Sequence, residues 1–161
     1  MKKISLIIIA FFILNLVSGC SGYKPIFSSS NLNFEILYAS IEGDEKLGKE
    51  IHNKLKRFLN TKDKNKNKSI NLYLNSIKDK VATVKDSSGK IKEYKITLNT
   101  RIKVDDYLTD QKILDQNFSY STSYKVQDIY SETIDLENKS IEDLLNRTFQ
   151  EIIIKLTESM V

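Results

Sequence analysis

Cys20, His52 and the adjacent carboxylates Asp105-Asp106 and Glu142-Asp143 are the residues of this chain with the most obvious chemical potential. Cys20 stands just after an apolar run. His52 lies beside Ile51 with no local motif to supply the Ser or Asp partner that a histidine base needs. Asp105-Asp106 closes an expected strand and Glu142-Asp143 opens an expected helix, so both pairs read as structural. No Walker loop, GxSxG, HExxH or cysteine cluster occurs. The residue types therefore point away from an enzyme, and no cofactor or metal is expected beyond whatever Cys20 carries.

The thiol has a specific context. Lys2 and Lys3 precede an apolar run from Ile4 to Val17, broken by Ser5 and Asn15. Fourteen residues at about 1.5 Å each span roughly 21 Å, short of a hydrocarbon core of about 30 Å. The run reads as a secretory leader over residues 1–19. Val17-Ser18-Gly19-Cys20 resembles the lipobox of bacterial lipoproteins, in which the thiol takes a diacylglycerol and becomes the new N-terminus. The plainer alternative, a secreted protein with one stray cysteine, leaves a lone thiol in an oxidising compartment. Acylation removes that liability and anchors the chain by about 0.8 kcal/mol per buried methylene. Ser21, rather than Asp, follows the cysteine; by resemblance to the enterobacterial sorting pattern the destination is the outer membrane, on its periplasmic side.

Loss of the leader leaves 142 of 161 residues, with basic residues falling from 25 to 23 against 21 acids. That is enough chain for one domain with a core, here residues 34–161. A net charge of +2 in an exported chain does not call for nucleic acid. Residues 20–33, with Pro25 and a Ser-Asn cluster, read as a lipid-anchored extended tether.

Beyond the tether the expected order is β-α-β-β-β-α. Phe34 to Ile41 alternates in part, Glu42-Gly43-Asp44 breaks the strand, and Asp44 caps a helix carrying Leu47, Ile51, Leu55, Phe58 and Leu59. Gly48 weakens that helix by about 1 kcal/mol relative to Ala. Residues 61–68 read as a solvated loop. A hairpin folded about Ser88 puts Leu74 opposite Ile102 and Leu72 opposite Val104, with a polar tip projecting beyond the core. Phe118, Tyr120, Tyr124 and Val126 share one face of a fourth strand; Asn117, Ser119, Ser121 and Ser123 share the other. Ser140 and Asp143 resemble a capping box before a helical stripe of Ile141, Leu145, Phe149, Ile152 and Leu156. Ile134 keeps the same phase, which allows a start as early as Ser131. The stripes and the sheet's one apolar face imply an α+β two-layer sandwich: a four-stranded mixed sheet covered on one face by two helices.

The other sheet face stays polar. It carries Lys95, Arg101 and Lys103, and Lys85, Lys90 and Lys92 cluster at the hairpin tip. Such faces are commonly just solvated; the functional alternative is a polar or anionic partner, because Lys and Arg both bind phosphate.

The stretch Gly22-Tyr23-Lys24-Pro25-Ile26-Phe27 after the lipobox resembles the opening of the LptE family, the lipopolysaccharide-assembly lipoproteins, with Ser21 as an inserted residue. The order of elements and the length agree with that family. The resemblance implies a partner rather than a reaction: a plug inside an LptD-like outer-membrane β-barrel that supports its assembly and binds lipopolysaccharide. It offers Lys90, Lys92, Arg101 and Lys103 as lipopolysaccharide or partner contacts, chosen by charge and position. A different anchored lipoprotein, acting as an envelope-assembly adaptor or lipid carrier, is the alternative.

Overall fold

The computed structural model describes residues 34–60 and 68–159. The leader, Cys20, the tether and the loop at 61–67 lie outside them. Six elements follow in the expected order: β1 (Phe34–Gly43), α1 (Glu45–Asn60), β2 (Lys68–Lys85), β3 (Ile91–Asp106), β4 (Lys112–Lys125) and α2 (Tyr130–Glu158). The sheet order is β1-β2-β3-β4. β1 runs parallel to β2, and the other two pairings are antiparallel. The fold is the α+β arrangement read from the sequence.

Alternation builds the core. Ile70, Leu72, Leu74, Ile96, Leu98, Ile102 and Val104 face the helices and are almost wholly buried. Leu74 pairs with Ile102 and Leu72 with Val104, the register expected from the turn. Thr100 interrupts the apolar row of β3 but lies opposite Ser76, and their hydroxyls meet at 3.4 Å. From α1 come Leu47, Ile51, Leu55 and Leu59; from α2 come Leu144, Leu145, Ile152, Ile153 and Leu156. Phe58 meets Phe149 edge-on at 5.9 Å, where the two helices approach. Each such buried Leu or Ile contributes about 1.5–3 kcal/mol.

Two boundaries differ from expectation. β1 continues to Gly43 rather than ending at Ile41, because a register shift between Ile36 and Tyr38 resets its alternation. Asp44 does cap α1, its carboxylate accepting from the Leu47 amide at 3.2 Å. The Ser140–Asp143 capping box is not used: both residues lie inside a helix that starts at Tyr130. That start is tied down from behind, where the buried Thr133 hydroxyl accepts from the Gln127 amide at 2.8 Å.

The early start gives the hairpin a brace. β2 and β3 stay paired out to Lys85 and Ile91, past the last buried apolar rungs. On the helix side of this extension, Lys80 Nζ reaches Glu137 of α2 at 2.5 Å and lies 4.4 Å above the Tyr94 ring. Tyr94 stacks on Tyr124, whose hydroxyl donates to Glu137 at 2.8 Å. Burial pushes the Glu137 carboxyl up, but the Lys80 and Tyr124 hydrogen bonds outweigh it and hold it below its ordinary range. Burial pulls Lys80 down, and its bonds to Glu137 and Tyr124 leave it raised overall. The lock is therefore complete above the ordinary Glu pKa and below the ordinary Lys pKa. It is lost as pH falls through the lowered Glu137 value or rises through the raised Lys80 value. Glu137→Gln keeps the shape and removes the charge, and should cost about 1 kcal/mol near neutrality, since charged hydrogen bonds contribute more but partial exposure screens them. Thermal melts across the acid range test this. Wild type should lose more stability than the variant as Glu137 protonates, and parallel curves would show that the contact contributes nothing.

Candidate interaction surface

Odd positions of β2 and β3 point away from both helices, and this uncovered face holds most of the polar residues singled out above. Asn99 lies at its centre. Its amide donates to Asp79 at 3.1 Å, and its side-chain oxygen accepts from the Ser119 hydroxyl at 2.7 Å. Asn117, Ser121 and Ser123 line the neighbouring edge strand and are exposed. Two shallow depressions adjoin here. One, of about 280 Å³, is lined by Ser40, Glu42, Tyr73, Asn75, Arg101 and Lys103. The other, of about 370 Å³, shares Asn75 and Arg101 and extends over Asn99, Asn117 and Ser119.

Arg101 and Lys103 on this face already have partners, whereas Lys95 is exposed with no ion pair among the described residues. Arg101 Nε lies 3.3 Å from Asp115 on the adjacent strand, and that contact leads the causes holding the Asp115 carboxyl below its usual range. Lys103 Nζ lies 2.6 Å from Asp105, which raises the lysine's pKa, and 5.2 Å from the Tyr73 ring centre. Asp105 is 7% exposed despite facing away from the helices. Its other oxygen is buried without a partner, as is the side-chain oxygen of Asn71 opposite.

The four cations chosen from sequence do not form one site. Arg101 and Lys103 share the uncovered face. Lys92, an even residue of the same strand, points to the other face, where it lies 3.6 Å from Asp86. Lys90 belongs to the turn, and its ammonium has no ion pair among the described residues. Nine residues at about 3.3 Å put Lys92 roughly 30 Å along β3 from Arg101.

Apolar residues on this face escaped the sequence reading. Ile77, Val81 and Val84 of β2 are about half exposed, and so are Leu37 and Tyr38 of β1. Ile77 and Val81 share their row with Asp79, so simple alternation does not mark them as an apolar stripe. A bulge after Ala82 keeps Val84 in phase with Val81. The face is thus polar at its centre and mixed along the hairpin, where Ile77, Val81 and Val84 stand beside Asp79, Thr97 and Lys95.

Elsewhere the chemistry is sparse. His52 is half-buried on α1, and burial followed by Lys56 lowers its pKa. A cleft of about 420 Å³ between the helices mixes Glu50, Glu137 and Glu142 with Lys46 and Lys78. No group of three or more His, Cys, Asp or Glu among the described residues could hold a metal ion. No described helix is long and apolar enough to cross a membrane.

No protein-family model matches the chain, and no curated protein matches its sequence. Solved structures do. A Caulobacter crescentus chain described as a lipoprotein superposes with a TM-score of 0.56 at 15% identity, covering 81% of this chain and 91% of that one. The uncharacterized lipoprotein B from Nitrosomonas europaea gives 0.54 at 13%, covering 85% and 91%. A minor lipoprotein from Acinetobacter baumannii gives 0.52 at 16%, covering 77% and 94%. At these identities the likeness establishes a shared fold.

Proposed function

We propose that this chain is an outer-membrane lipoprotein, anchored through acylated Cys20, that plugs an LptD-like β-barrel and takes part in placing lipopolysaccharide in the outer membrane. The observation that carries this reading is the uncovered sheet face, whose centre is built from Asn99, Asn117, Ser119 and neutralised charge pairs. A barrel lumen is itself polar, and a plug within it needs hydrogen-bonding groups outside and apolar groups hidden beneath its own helices. Support also comes from the lipobox, the Gly22–Phe27 opening and a fold shared with three chains described as lipoproteins. Arg101 and Lys103 would have to release Asp115 and Asp105 before binding a phosphate. Lys90, whose ammonium meets no carboxylate among the described residues, is the better lipopolysaccharide contact of the four.

A second reading, an envelope-assembly adaptor without a barrel, draws on Ile77, Val81 and Val84, which suit the apolar side chains of a protein partner. One experiment separates the two: recovery of a C-terminally tagged copy from detergent-solubilised outer membranes, with its partners weighed and counted. The plug reading expects one large, heat-modifiable barrel protein in equal amount. It further expects an Asn117→Trp, Ser121→Trp double variant to lose that barrel while melting normally, since exposed substitutions usually change stability by no more than about 0.5 kcal/mol. Recovery with soluble periplasmic proteins only, or alone, would overturn it and move the function to the adaptor or the lipid carrier.

A further inference from the structure

β4 is the outer strand of the sheet beside β3, so one of its edges has no strand partner among the described residues. Free edges are usually blunted by charge, proline or a bulge. The other outer strand, β1, is blunted: it bulges at Leu37 and carries Glu35 and Glu42. β4 is not. From Leu114 to Lys125 it pairs with β3 without a register shift, and Gln116 to Tyr124 (QNFSYSTSY) holds no charge, glycine or proline. Such a run is a template for another strand.

The strand is also self-complementary. Residues directly opposite each other in an antiparallel pair share a face of the sheet. A second copy centred on Tyr120 sets Ser121 opposite the copy's Ser119, Ser123 opposite its Asn117 and Lys125 opposite its Asp115, all on the uncovered face. Moving the copy one pair in either direction leaves Lys125 facing Asn117 or Ile113, and the acid facing an uncharged residue. Lys125 is exposed and has no ion pair among the described residues. Asp115 meets Arg101 at 3.3 Å and Lys112 at 3.8 Å through different oxygens, and each oxygen can accept a further donor. The helix side repeats the pattern. Arg147 of α2 lies 4.4 Å over the Tyr120 ring, and burial followed by Glu151, one turn along α2, raises the pKa of that tyrosine. A twofold axis at Tyr120 turns each copy's Arg147 toward the other's Glu151.

We infer that the free edge of β4 pairs antiparallel with the same edge of a second copy, joining two four-stranded sheets into one continuous sheet in a symmetric dimer. The dimer covers Asn117 and Ser121, which the plug reading turns toward the barrel, so it is the state of the protein before it meets that partner. The pairing itself does not rest on that reading.

Charge reversal tests the register. Full-length acylated protein would be followed by sedimentation equilibrium in a detergent matched in density to the solvent, where wild type is expected to dimerise. Lys125→Glu sets acid against acid twice in its own dimer, and Asp115→Lys sets base against base. Each variant alone should therefore self-associate about tenfold more weakly. An equal mixture restores both opposite-charge pairs, and a mixed dimer near wild-type strength is expected. A second readout leaves Arg101 and Asp115 untouched: with Cys20 acylated, Ser119→Cys and Ser121→Cys proteins should form a disulfide faster when mixed than alone. Wild type that stays monomeric at every concentration would overturn the dimer. A dimer that neither reversal weakens, or a disulfide that forms no faster in the mixture, would overturn the β4 edge as its interface.

Discussion

Replacing Cys20 with alanine is expected to release the protein from membranes while leaving its thermal unfolding unchanged. A single myristoyl chain gives an association constant of only about 10⁴ M⁻¹, and two or three chains make the attachment nearly permanent. Without them, the described domain has scattered exposed apolar side chains but no helix long and apolar enough to cross a membrane, so partition into vesicles should fall by several orders of magnitude. Stability should not follow, because the described core begins at Phe34, fourteen positions beyond the cysteine. The measurement is flotation with protein-free vesicles, so that no barrel partner retains the variant, together with mass spectrometry of the N-terminal peptide and a thermal melt. Wild-type protein with an unmodified Cys20 would sink the lipoprotein reading. Undiminished flotation of the variant would place the membrane affinity in the domain itself.

The hairpin was legible because it is written locally. The alternation of Ile70, Leu72 and Leu74 against Ile102 and Val104, folded about one turn, leaves a single register that buries both rows, and that register is the one found. β1 was only half legible. The shift between Ile36 and Tyr38 spoils its period while keeping Phe34, Ile36, Ala39 and Ile41 toward the core. The start of α2 was read two ways, and the earlier, at Ser131, lies one residue from the Tyr130 found. Ser140 and Asp143 have the spacing of a cap, yet the helix runs through them, and its true beginning rests on contacts from Gln127, Tyr124 and Lys80 that only the folded chain brings together. Gly48 looked like a weakness in α1. In place, a Cβ there would lie 2.4 Å from Ile41 Cγ2, so the absence of a side chain is what lets α1 lie against β1. The candidate surface divides in the same way. Alternation revealed the face of Arg101 and Lys103 and sets Asp105 two residues on from Lys103, but not Asp115 as the partner of Arg101, which depends on the pairing of β4.

Gly43→Ala is expected to destabilise the domain by about 3 kcal/mol, a large part of the 5–15 kcal/mol typical of a domain. Two penalties act at this residue. Its φ of +77° lies in the left-handed region, where a Cβ costs about 1–2 kcal/mol. That Cβ would also stand 2.3 Å from the Ser76 carbonyl oxygen and 3.0 Å from Asn75 Oδ1. The carbonyl has little room to yield: it accepts from the Asp44 amide at 2.6 Å, and Ser76 itself is paired to Thr100. Overpacking against such a wall costs typically about 1–3 kcal/mol. Gly89 is the internal control, since it has φ +84° but nothing within 4 Å of its Cβ position. Gly89→Ala should therefore incur the backbone penalty alone, about 1 kcal/mol, and Gly89→Asn less, because Asn tolerates the left-handed region. Urea unfolding of the two alanine variants isolates the steric term as their difference. Equal losses would mean that the β1–α1 junction shifts to admit a methyl group, and that close approach to Ser76 is not what requires glycine there.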